Sequence, residues 1–303
     1  MLLAAEFNAD VLTPLVSGAI QGSLYGLLGL GLVLLYKGNR IFNFAQGEFG
    51  TVAALLTYAF VVGSGGLPEL PYLVAVLIGL VGGTLMALLT ERVVARPLFH
   101  QPKVTTVVAT AGVALLAISI ELLFIGANPL TARPAIEGNL ISSGSLQVTY
   151  QQVLIVLALA VLALASALFF KKTQTGLAIL AVSQEPTATS LVGISVNRVS
   201  ALTWGMAGFL GAAAGILLAP TTLFAPGFMT GAALIPAFTA AVFGGITSLP
   251  GAFLGGVVIG IVEQFGNKWV PTTFIPGGNR ILVFLTLLII LVVKPSGLLG
   301  KEA

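Results

Sequence analysis

The 303 residues contain no cysteine and one histidine, His100. The first absence excludes disulfides and thiolate metal sites. The second leaves no H-E-x-x-H pair and no Ser–His couple, so a zinc hydrolase or an intramembrane serine protease is poorly supported. No G-x-x-x-x-G-K-[ST] loop occurs, so ATP is not bound in that way. Charge is also scarce, with 13 Lys and Arg and 10 Asp and Glu making up 8% of the chain, whereas soluble domains carry about 25%.

What is there is apolar. Hydrophobic residues make up 57% of the chain and mean hydropathy is +1.07, which predicts an integral membrane protein. A pI near 9.3 comes from basic residues beside the apolar runs, so it reports topology rather than nucleic-acid binding. No lysine or arginine precedes the first apolar run, so the basic region of a cleaved signal is missing and the first helix is expected to stay.

Runs near the roughly 20 residues needed to cross hydrocarbon lie at Leu12 to Tyr36, Ile41 to Val62, Tyr72 to Thr90, Val104 to Ile125, Val153 to Phe170 and Val199 to Thr221. Residues 224–265 read as a helical hairpin broken by Pro236 and by Ser248-Leu249-Pro250-Gly251, either crossing twice or re-entrant. Ile281 to Val293 is a short last segment that Arg280 and Lys294 flank. The expected fold is all-α, a polytopic helical bundle of eight or nine membrane segments in a single domain spanning 1–303. Gly18, Gly22 and Gly26, Gly79 and Gly83, Gly211 and Gly215, and the pairs within 251–260 recur at four-residue spacing, which lets helix backbones approach closely in lipid.

Basic residues alternate between loops. Lys37 and Arg40, then Arg92, Arg96 and Lys103, then Lys171, Lys172 and Arg198, then Lys294 and Lys301 mark one side, while Arg133 is the basic residue of the opposite loops before the last. The positive-inside bias places the first set in the cytoplasm, the N-terminus outside and the C-terminus inside. Glu48, Glu91, Glu121 and Glu263 each lie toward one end of an apolar run. A proton- or sodium-coupled carrier more often holds ionisable groups near the midplane, so the energy is expected to come from elsewhere.

Two stretches are candidates for function. Asn39, Asn43, Gln46 and Glu48 give unusual polar density at the start of the second run, fit for a substrate path, or for a cap with Asn43 as N-cap and Gln46 as its capping-box partner. The longest polar interruption is residues 171–198. There Gly176 is expected to start a short helix with Leu177, Leu180, Ala181 and Gln184 on one face. Pro186 restarts the chain, and Ala188, Leu191 and Val192 form a second stripe ending at Gly193. A helix of about ten residues is marginal alone in water, so its order is expected to come from a partner.

Four ordered stretches carry a resemblance. They are GSLYGLLGLGLVLLYKGNRIFNFAQGEFG from Gly22 to Gly50, GLAILAVSQEPTATSLVGI from Gly176 to Ile194, VFGGITSLPGAFLGG from Val242 to Gly256, and KPSGLLG from Lys294 to Gly300. Together the chain resembles the LivH-type permeases of branched-chain amino acid ABC importers, a family that also includes permeases for urea, short amides and other amino acids. The resemblance implies a bacterial inner-membrane permease with no ATPase site and no cofactor of its own. Its implied partners are a second, LivM-like permease chain, two cytoplasmic ATPases that use ATP and Mg, and an extracytoplasmic substrate-binding protein. It further implies that residues 171–198 dock on an ATPase, with Gly176, Leu177, Leu180, Ala181, Glu185, Ala188, Leu191 and Gly193 as contacts. Leu180 and Glu185 depart from the family's usual arginine and aspartate. An ion-coupled secondary carrier is the alternative from another class.

Overall fold

The computed structural model describes residues 2–143, 146–270 and 277–300, with side chains from residue 11 onward apart from residues 143 and 146. Lys301, one of the basic residues used for orientation, lies outside the described residues. Eleven helices follow in order among the described residues: α1 Leu2–Asn39, α2 Gln46–Val62, α3 Tyr72–Thr90, α4 Lys103–Ile125, α5 Tyr150–Lys172, α6 Gln174–Gln184, α7 Pro186–Leu191, α8 Val196–Leu218, α9 Leu234–Gly244, α10 Leu249–Trp269 and α11 Gly278–Val293. Their starts are written in the sequence. Thr149 and Gln152 close a capping box on α5, Ser248 accepts from the Gly251 N–H at 3.1 Å, and Pro186 and Pro250 occupy first-turn positions, where a missing N–H costs nothing.

Six of the spans are long and apolar enough to cross a membrane, and Gln46–Val62, Met229–Gly244 and Gly278–Val293 are shorter apolar helices. The expected count of eight or nine segments therefore divides into full crossings and shorter pieces. The chain is not purely helical: β1 Asn139–Ser143 and β2 Leu146–Thr149 pair antiparallel in the connection between α4 and α5.

Burial sorts the spans. The α1 span is 83% buried and the α8 span 67%, while those of α3, α4 and α5 are 28%, 22% and 22% buried, so α1 and α8 are the axis and the other three are the periphery. Lateral apolar faces such as Leu115, Leu116, Leu123 and Phe124 of α4 are exposed, as a bundle solvated by lipid requires. Antiparallel α1 and α10 meet backbone to backbone at Gly18 and Gly22 against Gly256 and Gly260.

Lys37, Arg96, Lys171 and Lys294 gather at one end, while Lys268 in the last turn of α10 and Arg280 in the first turn of α11 lie at the other. Lys37 Nζ donates to the Thr247 carbonyl at 3.2 Å and lies over the Phe170 ring, next in sequence to Lys171. Arg96 donates to the Asn197 carbonyl at 3.4 Å, and Lys294 donates to Leu298, whose N–H in turn reaches Phe243. Single cysteines at Ser142 and Thr187, both exposed, are therefore expected to label from opposite sides of the membrane with an impermeant maleimide, Ser142 from outside. Labelling of both from one side would overturn that topology.

The second crossing departs from expectation. Its helix starts at Gln46, not near Ile41, and residues 40–45 are non-helical. Gln46 Nε2 donates to the carbonyl of Ala207 at 2.8 Å, and Ala207 is the middle residue of Val196–Leu218. Gly83, halfway along the Tyr72–Ala95 span, packs on the Phe49 carbonyl. Two independent helices thus put the start of α2 at mid-depth.

The region 224–265 shows the complementary arrangement. Phe224 pairs with Leu130 beyond the end of α4 and packs on Tyr58, far from the basic end. The chain then descends to Met229, where a π-helical turn, Met229–Ala233, leads into α9 and on to the basic end. The hairpin therefore consists of a shorter apolar helix, Met229–Gly244, followed by α10, which is long and apolar enough to span. Non-helical backbone at membrane depth survives only inside protein or along a cavity. Here the Thr110 hydroxyl accepts the Phe44 N–H at 3.2 Å and Asn43 Oδ1 accepts the Ala45 N–H at 3.0 Å.

Candidate functional site

The two half-crossing helices start against each other. A side chain added at Gly47 would meet the Thr230 backbone and hydroxyl, and the Met229 N–H points to Thr51 Oγ1 at 3.4 Å. Gly47 is therefore a place where only hydrogen lets two helix starts meet. Helix starts carry partial positive charge, and two of them converge near the middle of the bundle.

The four polar residues singled out near this start do not form one cluster. Asn39 ends α1 and lines a cavity of about 20 Å³ with Lys103, Ser200 and Trp204. Ser200 is seven residues before Ala207 in α8, so Asn39 lies roughly 10 Å nearer the basic end than Gln46. Asn43 and Gln46 are buried and satisfied: Asn43 Nδ2 donates to Gln46 Oε1 at 3.5 Å, and Gln46 ties the start of α2 to α8. The capping-box expectation is corrected too, since the N-cap is Ala45, with no side-chain cap, and Asn43 lies two residues before it.

Glu48 is different. It is fully buried, and neither carboxyl oxygen has a hydrogen-bond partner of good geometry, although Thr51, the Thr230 N–H and hydroxyl, and the Glu121 carboxyl surround it. The expectation that each acid lies toward the end of its span fails here, because α2 itself begins at mid-depth. Glu121 is buried, accepts the Gly227 N–H at 3.0 Å through Oε2, and leaves Oε1 unpartnered.

Glu121, Thr51 and Thr230 escaped the sequence reading as site members. A signal for Glu121 existed: Thr106, Thr110, Ala114, Ala117 and Glu121 are the buried residues of α4, a three- and four-residue spacing of small and polar groups on an otherwise aliphatic helix. The other two acids have ordinary partners. Glu91 pairs with Arg96 at 2.7 Å, and Glu263 accepts from the Tyr25 hydroxyl at 2.5 Å and from Asn279 at 3.4 Å.

At the basic end, residues 171–198 fold as a helix, a proline restart and a shorter helix. Thr173 caps α6 through the Gly176 N–H at 2.9 Å, so the helix begins two residues before Gly176. Gly176, Ile179 and Val182 are its buried residues and pack on the bundle. Leu180 and Ala181 are half-buried, while Leu177, Gln184 and Glu185 are exposed, so the expected face is split. Part of this segment's order thus comes from the bundle itself. In α7, Thr189 is the buried residue. Ala188 is exposed, as are Leu191 and Val192 at 83% and 75%, and Gly193 turns the chain at φ +87°. Large aliphatic side chains this exposed at the basic end form an uncovered stripe.

Comparison with known proteins follows this geometry. A family described as "Branched-chain amino acid transport system / permease component" matches residues 15–293. The permease protein BraD of the high-affinity branched-chain amino acid transport system of Pseudomonas aeruginosa is 29% identical over 301 residues, covering 96% of each chain. LivH of Escherichia coli, named for the same kind of system, is 28% identical over 303 residues with 96% of each chain covered. A probable LivH of Methanocaldococcus jannaschii is 25% identical over 306 residues, covering 95% of this chain and 92% of that one. Among solved structures, PsaBC from Streptococcus pneumoniae in complex with Fab superposes with a TM-score of 0.51 at 13% identity, covering 98% of this chain and 97% of that chain, a likeness of fold alone.

Proposed function

Because the chain belongs to the family of branched-chain amino acid transport permease components, we propose that it is the membrane permease subunit of an ATP-driven importer for leucine, isoleucine and valine. A second permease chain lies beside it in this reading, two ATPases at the basic end use ATP and Mg, and an extracytoplasmic binding protein delivers the substrate. The basic end faces the cytoplasm, the N-terminus faces outside, and the chain carries no ATPase site or cofactor of its own.

The observation that carries the coupling role is the stripe of Ala188, Leu191 and Val192, exposed at the basic end on a helix that Thr189 and Gly193 hold in place. Exposed apolar surface of this kind marks a protein contact, and this one lies on the segment whose sequence resembles the ATPase-docking loop. Residues 176–193 are therefore the coupling element, with Leu177, Leu180, Ala181 and Glu185 at its margin. The mid-depth start of α2, with Asn43, Gln46 and Glu48, borders the substrate path. Asn39 belongs instead to its cytoplasmic mouth.

The mid-depth position of Glu48 removes one sequence argument against an ion-coupled carrier, so the energy source needs direct measurement. In vesicles holding the whole complex, labelled leucine is expected to accumulate when ATP and the binding protein are present. Labelled urea is expected to stay out. Leucine accumulation driven by a proton or sodium gradient without the ATPases would overturn the importer reading, and urea accumulation would reassign the substrate.

A further inference from the structure

Three cations share a groove at the basic end, and no acid stands among them. The groove, about 450 Å³, lies between the end of α1, the end of α5, one side of α6 and the turn that starts α10. Lys37, Arg40 and Lys171 line it, and among the described residues no Asp or Glu does. Lys37 is half-buried and feels the like charge of Arg40. It gives one of its three N–H donors to the Thr247 carbonyl and lies over the Phe170 ring. The Arg40 guanidinium lies over the Tyr36 ring at 5.8 Å and donates no hydrogen bond among the described residues. The ion pair that the described residues do close, Arg96 with Glu91, lies outside the groove.

The backbone holds this arrangement in an uncommon conformation. Arg40 sits at φ +54°, the positive φ of a non-glycine residue among the described residues, and its N–H closes on the Tyr36 carbonyl at 2.9 Å. That turn fixes where α1 ends and where the guanidinium stands, and strain of this kind collects at ligand sites. The start of α10, Ser248 to Pro250, forms another wall and adds partial positive charge. The charge here selects an anion.

The apolar wall describes the rest of that anion's molecule. Ala167 and Phe170 of α5 and Leu249 line the same groove. From Lys171, the residues Leu168, Leu164, Val161 and Leu157 climb α5 at alternating three- and four-residue spacing, and all four are exposed, so they form one face of the helix. Leu168 to Leu157 covers about 16 Å at 1.5 Å per residue, close to one leaflet of a hydrocarbon core about 30 Å thick. The stripe lies within the apolar span Tyr150–Lys172, where neither a free phosphate nor the acidic loop of a soluble protein reaches. A phospholipid tail does.

We propose that this groove holds the phosphate headgroup of an anionic phospholipid of the cytoplasmic leaflet, with Lys37, Arg40 and Lys171 on the phosphate and an acyl chain along Leu168, Leu164, Val161 and Leu157. Such a site needs only that the basic end faces the anionic leaflet, whatever the chain transports, and basic pockets between spans on that side suit lipid headgroups. Leu180, Ser183 and Gln184 of α6 form the remaining wall. The bound lipid therefore braces the segment proposed to meet the ATPases.

The test titrates the purified whole complex with phosphatidylglycerol or phosphatidylcholine and reads retention by native mass spectrometry. Phosphatidylglycerol is expected to be retained in preference to phosphatidylcholine. Arg40→Gln and Lys171→Gln are each expected to weaken that retention about fivefold, the weight of one basic residue beside an anionic headgroup. Arg92→Gln, exposed but outside the groove, is expected to leave it unchanged. A second measurement stands if a variant misassembles. In the wild-type complex, phosphatidylglycerol with a photoreactive acyl chain is expected to label α5 between residues 157 and 171 well above the exposed face of α4.

Wild-type retention by both groove variants, or equal labelling of α4 and α5, overturns the lipid site. So does displacement of the lipid by excess glycerol phosphate, which would make the groove a site for a free anion. Loss of ATPase co-purification in both variants with lipid retention unchanged would make it a protein contact instead. Leucine uptake enters none of these readouts, so the importer reading stands or falls separately.

Discussion

Ala188→Trp and Gly193→Pro are each expected to leave the chain inserted and paired with its partner permease while abolishing ATP-driven uptake. Both act on α7 rather than on the bundle. Ala188 is exposed, so an indole there meets no neighbour within this chain and collides only with whatever covers the stripe. Gly193 works differently. It sits at φ +87°, and its N–H and that of Ile194 bond the carbonyls of Ser190 and Thr189 at 3.1 and 3.3 Å. Proline fixes φ near −65° and has no N–H, so the turn that sets Leu191 and Val192 at their angle is lost. Loss of one well-packed anchor costs about 2 kcal/mol or more, over tenfold in affinity, and ATPase co-purification is expected to fall accordingly. Because α6 is held through Ile179 and Val182, the damage stays local. Variants that keep both co-purification and uptake would remove α7 from the coupling path.

Much of this architecture is legible in the chain because lipid demands long apolar runs with polar punctuation. The run Tyr72 to Thr90 is a helix over those same residues, and Val104 to Ile125 gains only Lys103 at its start. The failures share one cause. Ile41, Phe42, Phe44 and Ala45 are as apolar as helical residues, so hydropathy extends the second crossing through them. Nothing in composition announces that the Thr110 hydroxyl and Asn43 amide take over the hydrogen bonds a helix would make.

Residues 222–228 hide in the same way behind Leu223, Phe224 and Phe228. The consequence reaches the site. Once α2 is taken to start near Ile41, Glu48 reads as a residue near a helix end, and its meeting with Glu121 on a distant helix stays invisible. The segment proposed to couple, residues 171–198, stands out in the sequence by its polarity and its proline. The side of α6 that faces the bundle does not, because Ile179 and Val182 compete with Leu177 and Leu180 for the same short helix, and tertiary packing decides between them.

Gly256→Leu is expected to cost the folded protein itself, the largest effect on stability among these variants. A side chain at Gly256 meets the backbone of Gly22 and Gly26, and one at Gly22 meets the backbone of Gly256 and Val257. Backbone has no rotamer to yield, so the helices must separate. Overpacking a core that can adjust costs about 1–3 kcal/mol, and a rigid seam costs more. In lipid no hydrophobic drive holds α1 to α10, so parting the helices forfeits their dispersion contacts over the whole crossing. Gly31 of α1 packs on the Gln46 side chain, and Lys37 holds Thr247 at the basic end. Displacing α1 therefore also loosens the start of α2. Size-exclusion chromatography in mild detergent is expected to show aggregate or no protein for Gly256→Leu. Leu254→Ala, exposed on the same helix, is expected to run as the wild type. A monodisperse Gly256→Leu chain with unchanged thermal stability would mean that the α1–α10 seam does not hold the bundle together, and that α3, α4 and α8 position the mid-depth junction without it.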